Sequence, residues 1–576
     1  MTMQTSRMKI LFLLITIALG ILLGWHTLAT PTPVPTQADG LSAYRMADHL
    51  RVIAAEERSV FHYERRMYVR DYIIDFMEDL GLTAEIDDFT ITTEDIARVR
   101  RERWGIVVED DFFYPGRRDV TMYGSNVLFR QQGRSDTAIM LMAHIDSAGV
   151  NMSLDPETDV RSPGASDSGY GLAIMLEIAA HFADRELENT IYFFFTDLEE
   201  IGLQGAYHAV ESMDFGNVSM ILNLEARGIR GPVYMFETQA GDLETARFFR
   251  DAVPQPLTWS IATAIFREMP NDTDLTPFLD RGFNGMNFAP LNSLVYYHTE
   301  YDSYENISHT TMQHYIDQIG ALVELFVTDS RFSDINAFDT ARTGVYFTLP
   351  FGVMILYNDL LAIAISIILF VLVGLTFAVS IKRGQIKLGK AMVWSVVMIG
   401  AMLISAAIGW AIGTIAFLPV HDQSSGIALI SIEMFIMWPS VAILFALFGL
   451  LRIKLSSRFS RNEMVIGAMA LLAILNLIIT FVMVEATFLT SIPLALTLLC
   501  FLLSKIDAVR QKSALSYLLA AIPLLVVVTL LVPIIFTFTL ALTVGGLAII
   551  MVLSLLMAIT LPALWRGENS KPAALQ

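Results

Sequence analysis

Acidic and histidine side chains follow apolar runs at several points in this sequence. The stretch TDLEEIGLQG follows one such run and contains Glu199 and Glu200, and an earlier run leads directly into His144 and Asp146. Adjacent carboxylates at the end of a strand either form a solvated turn or do chemistry. Histidine and carboxylate side chains without a thiolate suit a catalytic metal site that retains a position for water.

Three further side chains occupy similar positions. Asp167 lies in GASDSGYG just before a helical segment, Glu225 follows the run SMILNL, and His298 follows the run LVYY, which we interpret as a strand at 294–297. Taken singly, each is more typical of a structural role, since Asp and Ser often cap helices. Together they predict a metal site, because the carboxyl ends of strands in an open α/β sheet converge on one crevice.

The elements that must position these side chains alternate between strand and helix. Short apolar runs bounded by turn signals predict buried strands at 138–143, 190–195, 219–224 and 232–237. Helical spacing is found between them at 169–185 and after them at 310–330. This alternation predicts an α/β domain with a mostly parallel sheet and helices on both faces.

The rest of the chain is strongly apolar. Of its 576 residues, 54% are hydrophobic, and seven segments after residue 353 are long enough to cross a bilayer. They are expected near 358–381, 391–417, 426–451, 463–484, 487–504, 514–535 and 538–562. The predicted fold is therefore an α/β domain followed by an all-α, polytopic transmembrane domain.

An apolar segment preceded by Arg7 and Lys9 begins the sequence. A cleaved signal peptide and a retained transmembrane anchor both fit it, and its length favours the anchor. The predicted parts are an anchor at 1–29, a proline-rich linker at 30–40, the α/β domain at 41–335, the transmembrane domain at 353–565 and a cytoplasmic tail at 566–576.

Charge and cysteine content exclude some functions and suggest an orientation. The net charge of −19 opposes nucleic-acid binding, which depends on neutralising phosphates. The single cysteine, Cys500, excludes a disulfide framework within the chain. The basic loops KRGQIKLGK, RIKLSSRFSR and KIDAVRQK belong on the cytoplasmic side, which gives eight spans and an extracytoplasmic α/β domain.

The motifs HID, GASDSGYG, TDLEEIGLQG, NLEARG and YYHTEYDS resemble those of the zinc-dependent aminopeptidase family, metallopeptidase family M28, which includes secreted bacterial leucyl aminopeptidases. The membrane domain and the sequence NLEA resemble the corresponding features of the membrane-bound branch, the vacuolar membrane proteases and endoplasmic reticulum metallopeptidases. The resemblance implies two zinc ions held by five side chains: His144, Asp167, Glu200, Glu225 and His298.

The resemblance also implies a role for each residue. Asp167 would bridge the two ions, with His144 and Glu225 completing the first site, and Glu200 and His298 holding the second. The secreted aminopeptidases have aspartate at the position of Glu225, so the occupancy of the first site is left open.

Three other carboxylates are assigned roles near the ions. Glu199 would act as general base, and Asp146 would orient the imidazole of His144. In an extended chain Glu199 and Glu200 point to opposite sides, so one can bind metal while the other moves a proton. Asp274, in a stretch similar to one beside the family's active site, is a candidate for lining the substrate cleft.

We therefore expect a membrane-anchored, two-zinc aminopeptidase that acts on peptides outside the cytoplasm. One alternative is a one-zinc acyl-transfer enzyme like glutaminyl cyclase. Another is a catalytically silent receptor or scaffold, or a transport protein. The sequence does not indicate the oligomeric state or the preferred N-terminal residue.

Overall fold

The structure of this protein is a computed structural model. It describes residues 2–105, 120–151, 155–159, 161–269, 271–420, 423–455, 457–506 and 513–560. The segment 566–576, predicted as a cytoplasmic tail, lies outside the described residues, as does most of the basic loop 505–512.

Strands occupy the first two thirds of the chain. In chain order they are β1 (Glu85–Thr92), β2 (Thr121–Gln131), β3 (Ser135–His144), β4 (Val150–Asn151), β5 (Asp155–Asp159), β6 (Asn189–Thr196), β7 (Val218–Leu224), β8 (Arg230–Thr238), β9 (Gly285–Asn292), β10 (Gly344–Leu349) and β11 (Val353–Asn358).

Helices alternate with these strands and continue after them through the described C-terminal part of the chain. They are α1 (Thr2–His26), α2 (Ala43–Ile53), α3 (Tyr63–Asp79), α4 (Thr93–Trp104), α5 (Gly169–Phe182), α6 (Gln204–Ser212), α7 (Leu243–Ala252), α8 (Ser260–Glu268), α9 (Thr276–Asp280), α10 (His309–Thr328), α11 (Asp359–Lys382), α12 (Leu388–Phe417), α13 (Gln423–Leu455), α14 (Arg461–Val482), α15 (Phe488–Leu503), α16 (Ser513–Leu542) and α17 (Leu547–Thr560).

The main sheet has seven strands in the order β1-β2-β6-β3-β7-β9-β8. Its four inner strands, β6, β3, β7 and β9, run parallel to one another. The outer strands β2 and β8 pair antiparallel with β6 and β9, and β1 pairs antiparallel with β2. The predicted α/β domain is confirmed, and parallel pairing is concentrated at the centre of the sheet.

Side-chain alternation along β3 explains how this sheet is covered on both faces. Ile139 and Leu141 pack into a core that includes α5 and α10. Met140 and Met142 pack on the opposite face with α6 and α9. Because both faces are buried, the strand appears in the sequence as a continuous apolar run.

One predicted strand is wrong. The segment 294–297 contains a short 3-10 helix, Leu294–Tyr296, and the strand of this region is the earlier β9. Ser293 has a φ of 67°, in the left-handed region, which turns the chain out of the sheet directly after β9. His298 therefore follows a turn rather than a strand end.

All eight segments predicted to cross the membrane are helical in the described part of the chain. Five helices there are long and apolar enough to cross: Asp359–Lys382, Leu388–Phe417, Ala428–Leu451, Arg461–Val482 and Ala521–Leu542. Three shorter apolar helices are Leu11–His26, Phe488–Leu503 and Val544–Leu556.

The last two predicted segments have a different boundary from the one expected. α16 continues to Leu542, and the helix is interrupted at Val544–Gly546 rather than near residue 536. The glycine pair at 545–546 weakens the helix there, and the carboxylate of Glu433 accepts a hydrogen bond from the Val544 amide at 3.0 Å. This contact satisfies a backbone donor that the helix leaves free.

The basic loops between the transmembrane helices lie close together. The Lys390 ammonium donates to the carbonyl of Arg458 at 2.8 Å, and the Lys505 ammonium donates to Asn462 at 3.3 Å. At the opposite end of these helices, β11 leads directly into α11 at Asp359. The bases and the α/β domain are therefore at opposite ends of the helical region.

The N-terminal helix packs closely against α16. A Cβ placed on Gly20 would lie 2.8 Å from Val528, and one on Gly24 would lie 2.8 Å from the carbonyl oxygen of Thr529. Small residues spaced four apart allow such close approach of two membrane helices. α1 is therefore an integral part of the helical packing in this structure.

Candidate metal centre

The carboxyl ends of the central parallel strands bring the predicted site residues to one edge of the sheet. β3 ends at His144, which is in register with Thr196 at the end of the neighbouring strand β6. On the other side of β3, β7 ends at Leu224 and is followed by Glu225. The loops after these strands therefore begin side by side.

The five predicted ligands lie together at this edge. The Nε2 atom of His144 is 3.3 Å from Oδ1 of Asp167 and 3.8 Å from Glu225. The Nε2 atom of His298 is 3.1 Å from Oδ2 of Asp167 and 3.1 Å from Glu200. The two oxygens of Asp167 thus face different histidines, and each histidine has a second carboxylate beside it.

These side chains form groups that are compact enough to hold metal ions. The ligand atoms of His144, Asp167 and Glu225 lie within 4.8 Å of one another, as do those of Asp167, Glu200 and His298. Asp167 is common to both groups. The donors are imidazole nitrogens and carboxylate oxygens, which suit a catalytic zinc ion.

Asp146 contacts both the His144 imidazole and the turn that carries Glu199 and Glu200. The Nδ1 atom of His144 is 3.0 Å from the backbone carbonyl of Asp146 and 3.5 Å from its carboxylate. That carboxylate accepts hydrogen bonds from the backbone amides of Glu199 and Glu200, at 3.0 and 3.1 Å. Asp146 therefore positions the Glu199–Glu200 turn as well as the imidazole.

The backbone at Glu199 and Glu200 is not extended, so that part of the sequence argument is wrong. Leu198 has a φ of 62°, and the Glu199 carbonyl accepts hydrogen bonds from the amides of Gly202 and Leu203, both at 2.8 Å, which form a turn. The two carboxylates still have different neighbours: Glu200 contacts His298, while Glu199 lies within the group formed with His144. Asp146 stabilises this turn, because its carboxylate accepts hydrogen bonds from both amides.

Two buried residues that sequence reasoning missed support the Asp167 loop. The Asp302 carboxylate accepts hydrogen bonds from the amide and hydroxyl of Ser166, both at 2.8 Å, and from the Asp167 amide at 3.2 Å. The Arg58 guanidinium donates to the carbonyls of Ile145 and Gly164 at 2.6 and 2.8 Å. Asp302 lies within the motif YYHTEYDS, whereas nothing local distinguishes Arg58.

The neighbouring acid Asp197 makes contacts that stabilise the fold. It is buried and forms an ion pair with Arg66 at 3.0 Å. Its carboxylate also accepts from the amides of Ser125 and Leu198 at 3.1 and 2.9 Å. These contacts satisfy a buried charge and hold the start of the TDLEE turn.

Asp274 lies behind the cluster rather than on the cleft wall. Its side chain is fully buried and accepts a hydrogen bond from the Thr196 hydroxyl. The adjacent residues Asp272 and Thr273 line the cavity beside the cluster, whereas Asp274 is not among the lining side chains. Contact of Asp274 with substrate stays a prediction.

Burial and mutual repulsion shape the electrostatics of the cluster. Burial, with the charge of Asp167, raises the pKa of Glu225 to about 8 despite the nearby His144. Burial also raises the pKa of Glu199, and the neighbouring acids add to this effect. Burial alone would lower the pKa of His298, but Glu200 and Asp167 outweigh it and raise that pKa to about 10.

A divalent cation would satisfy this arrangement. Oε1 of Glu200 is buried and has no hydrogen-bond partner among the described residues. An unsatisfied buried carboxylate oxygen is unfavourable, and a cation at the cluster would supply its missing partner. It would also stabilise the charged form of Glu225, whose pKa is raised by burial and by the charge of Asp167.

A cavity of about 620 Å³ adjoins the cluster. Its wall includes five of the clustered side chains: Asp167, Glu199, Glu200, Glu225 and His298. Arg227 and Tyr297 also line it, and the Tyr297 ring stacks on His298 with ring centres 3.7 Å apart. The cavity is in the range of about 300–1,000 Å³ typical of small-ligand pockets.

Comparison with known proteins confirms the resemblance found in the sequence. Residues 126–323 match the model of peptidase family M28. A vacuolar membrane protease from Eremothecium gossypii is 27% identical over 292 residues, covering 49% of this chain and 26% of that protein. A vacuolar membrane protease from Candida albicans (strain WO-1) is 28% identical over 279 residues, covering 46% of this chain and 31% of that protein.

Among solved structures, an aminopeptidase from Aneurinibacillus sp. strain AM-1 is similar with a TM-score of 0.40 and 14% identity, covering 50% of this chain and 94% of that chain. The matches to the two membrane proteases span about a quarter to a third of their length. The region that matches the family model contains every residue of the candidate metal centre.

Proposed function

We propose that this protein is a membrane-anchored peptidase that binds two zinc ions and removes residues from the amino end of peptides. The observation that carries the proposal is the position of Asp167 between two histidines, with one oxygen 3.3 Å from His144 and the other 3.1 Å from His298. A carboxylate with this placement suits a bridge between two metal ions.

The ligands divide into two sets around that bridge. His144 and Glu225 would hold one zinc ion with Asp167, and Glu200 and His298 would hold the other. Two observations support this assignment: the buried Oε1 atom of Glu200 has no hydrogen-bond partner among the described residues, and the donor atoms are of the types that zinc binds. Glutamate at 225 is accommodated, since its carboxylate lies 3.8 Å from the His144 imidazole.

Zinc, when bound, would lower the pKa of a water and polarise the substrate carbonyl. The carboxylate of Glu199 would accept a proton from the attacking water and pass it to the departing amine nitrogen. Asp146 would hold the Glu199 backbone in place through its hydrogen bond to the Glu199 amide, at 3.0 Å. The Asp302 contacts would hold Asp167 between the histidines.

Two observations favour exopeptidase activity. The cavity, at about 620 Å³, suits the end of a peptide or a very short peptide rather than a folded chain. The motif series HID, GASDSGYG and TDLEEIGLQG is similar to that of aminopeptidases, which favours the amino end.

The most direct test of the mechanism is replacement of Glu199, the proposed general base. Glu199→Gln is expected to abolish hydrolysis of aminoacyl chromogenic substrates and leave the zinc content of the protein unchanged, because it removes a base and no ligand. Glu237→Gln is a matched control, since Glu237 is also buried but does not line the cavity. Wild-type turnover by Glu199→Gln would refute the assignment.

Metal analysis of the same preparations distinguishes the acyl-transfer alternative. Two zinc ions per chain, with hydrolysis that stops in the presence of chelator, would support the proposal. One zinc ion per chain, with cyclisation of N-terminal glutamine, would instead support a glutaminyl-cyclase-like enzyme. Full zinc content without turnover of any substrate would favour a silent receptor.

We further propose that the α/β domain faces the extracytoplasmic side. The basic loops, represented by Lys390 and Arg458, lie at the end of the helices opposite to Asp359, where the domain joins α11. Basic loops are retained in the cytoplasm. Protease protection of the domain in sealed vesicles of known orientation tests this placement.

A further inference from the structure

The cavity beside the metal cluster has walls from two parts of the molecule. One wall belongs to the α/β domain. The other belongs to the membrane helix α16 and consists of Thr537, Phe538, Ala541 and Leu542. These residues have the spacing i, i+1, i+4 and i+5, which places them on one face of a helix.

Much of the remaining cavity wall is apolar. The domain contributes Ala262, Ile265 and Phe266 from one face of α8, and Trp259 from the residue before that helix. Phe236 of β8 packs against Phe266 with ring centres 4.8 Å apart. An apolar substrate group bound here would be stabilised, because it would be removed from water.

Helix α16 is held firmly against the domain. Trp259 and Leu291 share one continuous core with Leu530, Ile534 and Phe538 of α16. This shared core makes the α16 wall a fixed part of the cavity.

Three polar contacts also hold the membrane region in place, two to the α/β domain and one between membrane helices. The Ser260 hydroxyl donates to the carbonyl of Glu485 at 2.7 Å, and the Arg267 guanidinium donates to the Glu485 carboxylate at 2.6 Å. Directly after α16, the Val544 amide donates to Glu433 of α13 at 3.0 Å. The first two contacts hold the segment between α14 and α15 against the domain, and the third restrains the chain directly after α16.

We propose that α16 forms one wall of the subsite that binds the side chain of the substrate's N-terminal residue, on the amino side of the cleaved bond. The membrane domain thereby determines substrate selectivity. The expected substrates are peptides with a large apolar residue, aliphatic or aromatic, at that position. This inference rests on the proposed peptidase function. It gives the membrane helices a part in substrate recognition in addition to anchoring.

The test changes the volume of the α16 wall in the full-length protein. Ala541→Trp fills the subsite, and the ratio of kcat/KM for a phenylalanyl substrate to that for an alanyl substrate is expected to fall by about tenfold or more. Leu542→Ala enlarges the subsite, and the same ratio is expected to rise by about threefold or more. Both variants should retain wild-type zinc content.

Ala378→Trp provides a matched control, because Ala378 is exposed on α11 and is not among the residues that line the cavity. It should leave the ratio unchanged. An unchanged ratio in Leu542→Ala, or an Ala541→Trp protein that loses both activities equally, would overturn the inference. Wild-type protein that cleaves neither substrate would overturn the peptidase function and this inference with it.

Discussion

Asp302 is the residue whose replacement best tests how the metal centre is held. Its carboxylate is fully buried and accepts three hydrogen bonds, from the amide and hydroxyl of Ser166 at 2.8 Å each and from the Asp167 amide at 3.2 Å. Among the described residues, its carboxylate forms no hydrogen bond with another predicted ligand. Its effect on metal binding should therefore act through the position of Asp167.

Asp302→Asn preserves the shape of the side chain and removes its charge. The amide retains one accepting oxygen, so at least one of the three hydrogen bonds is lost, and the new NH₂ group opposes a donor. A hydrogen bond to a charged group contributes about 1.5–3 kcal/mol. We expect a similar decrease in the free energy of unfolding, and a decrease in zinc affinity of about 10–100-fold, the usual effect of losing a partner of a metal ligand.

The assay is a competition titration of zinc against a chromogenic chelator at pH 8. At this pH Asp302 is ionised, since burial and the charge of Asp167 raise its pKa only to about 6. Asp242→Asn is the control, because Asp242 is also fully buried and accepts three hydrogen bonds, from Gly344, Thr238 and Tyr346 at 2.8, 2.9 and 2.9 Å. Asp242 lies away from the cluster.

The two variants should therefore lose stability to a similar extent, and only Asp302→Asn should lose zinc affinity. If Asp302→Asn binds zinc as tightly as the wild-type protein, Asp302 has no role in positioning Asp167. If both variants lose zinc affinity equally, the effect is general destabilisation. Either result refutes the reasoning.

Two further predictions concern stability. Burial lowers the pKa of His314 to about 4, and its Nδ1 accepts from the Val233 amide at 3.0 Å. Folding thus favours the neutral form of His314. Its contribution to the free energy of unfolding, about 3 kcal/mol at most, is complete above pH 6.5 and is lost as the pH falls towards 4. In urea unfolding from pH 7 to 4, the free energy of unfolding of His314→Gln should depend less steeply on pH than that of the wild-type protein. Gly24→Leu should lower the free energy of unfolding by about 1–3 kcal/mol, because a Cβ there would lie 2.8 Å from the Thr529 carbonyl oxygen. Gly374→Leu, where no atom lies within 4 Å of that position, should change it by at most about 0.5 kcal/mol.

Each of these predictions has a clear contrary result. An identical pH dependence of wild-type protein and His314→Gln would show that His314 does not titrate between the folded and unfolded states. Equal stability of Gly24→Leu and Gly374→Leu would show that α1 does not pack on α16. If mass spectrometry in addition shows that the mature protein lacks the N-terminal segment, that segment is a cleaved signal peptide and not an anchor.

Much of the sheet was predictable because its central strands are buried on both faces. Such strands form unbroken apolar runs, and β3, β6 and β7 were each recognised in this way. The edge strand β1 and its neighbour β2 were not recognised; β1 mixes acidic and apolar residues, and several of its side chains are exposed. The segment 294–297 has a strand-like composition but contains a 3-10 helix that follows the left-handed residue Ser293.

The candidate site was predictable to the extent that its chemistry lies in local motifs. His144, Asp167, Glu200, Glu225 and His298 each stand in a recognisable stretch, and the structure brings them together. Their roles stay predictions. Arg58 and the α16 wall could not be found in the same way, because their part in the site depends on contacts between segments far apart in the chain.

The sequence by itself determined the donor types, the buried parallel strands and the lengths of the apolar helices. These properties are local, since they depend on side-chain chemistry and on periodicity within about twenty residues. The tertiary structure decided that Asp302 holds the Asp167 loop, that Asp146 binds two amides of the TDLEE turn, and that α16 closes the cavity. Each of these contacts joins segments that meet only when the sheet and the membrane helices have packed, because burial of shared apolar surface brings them within reach.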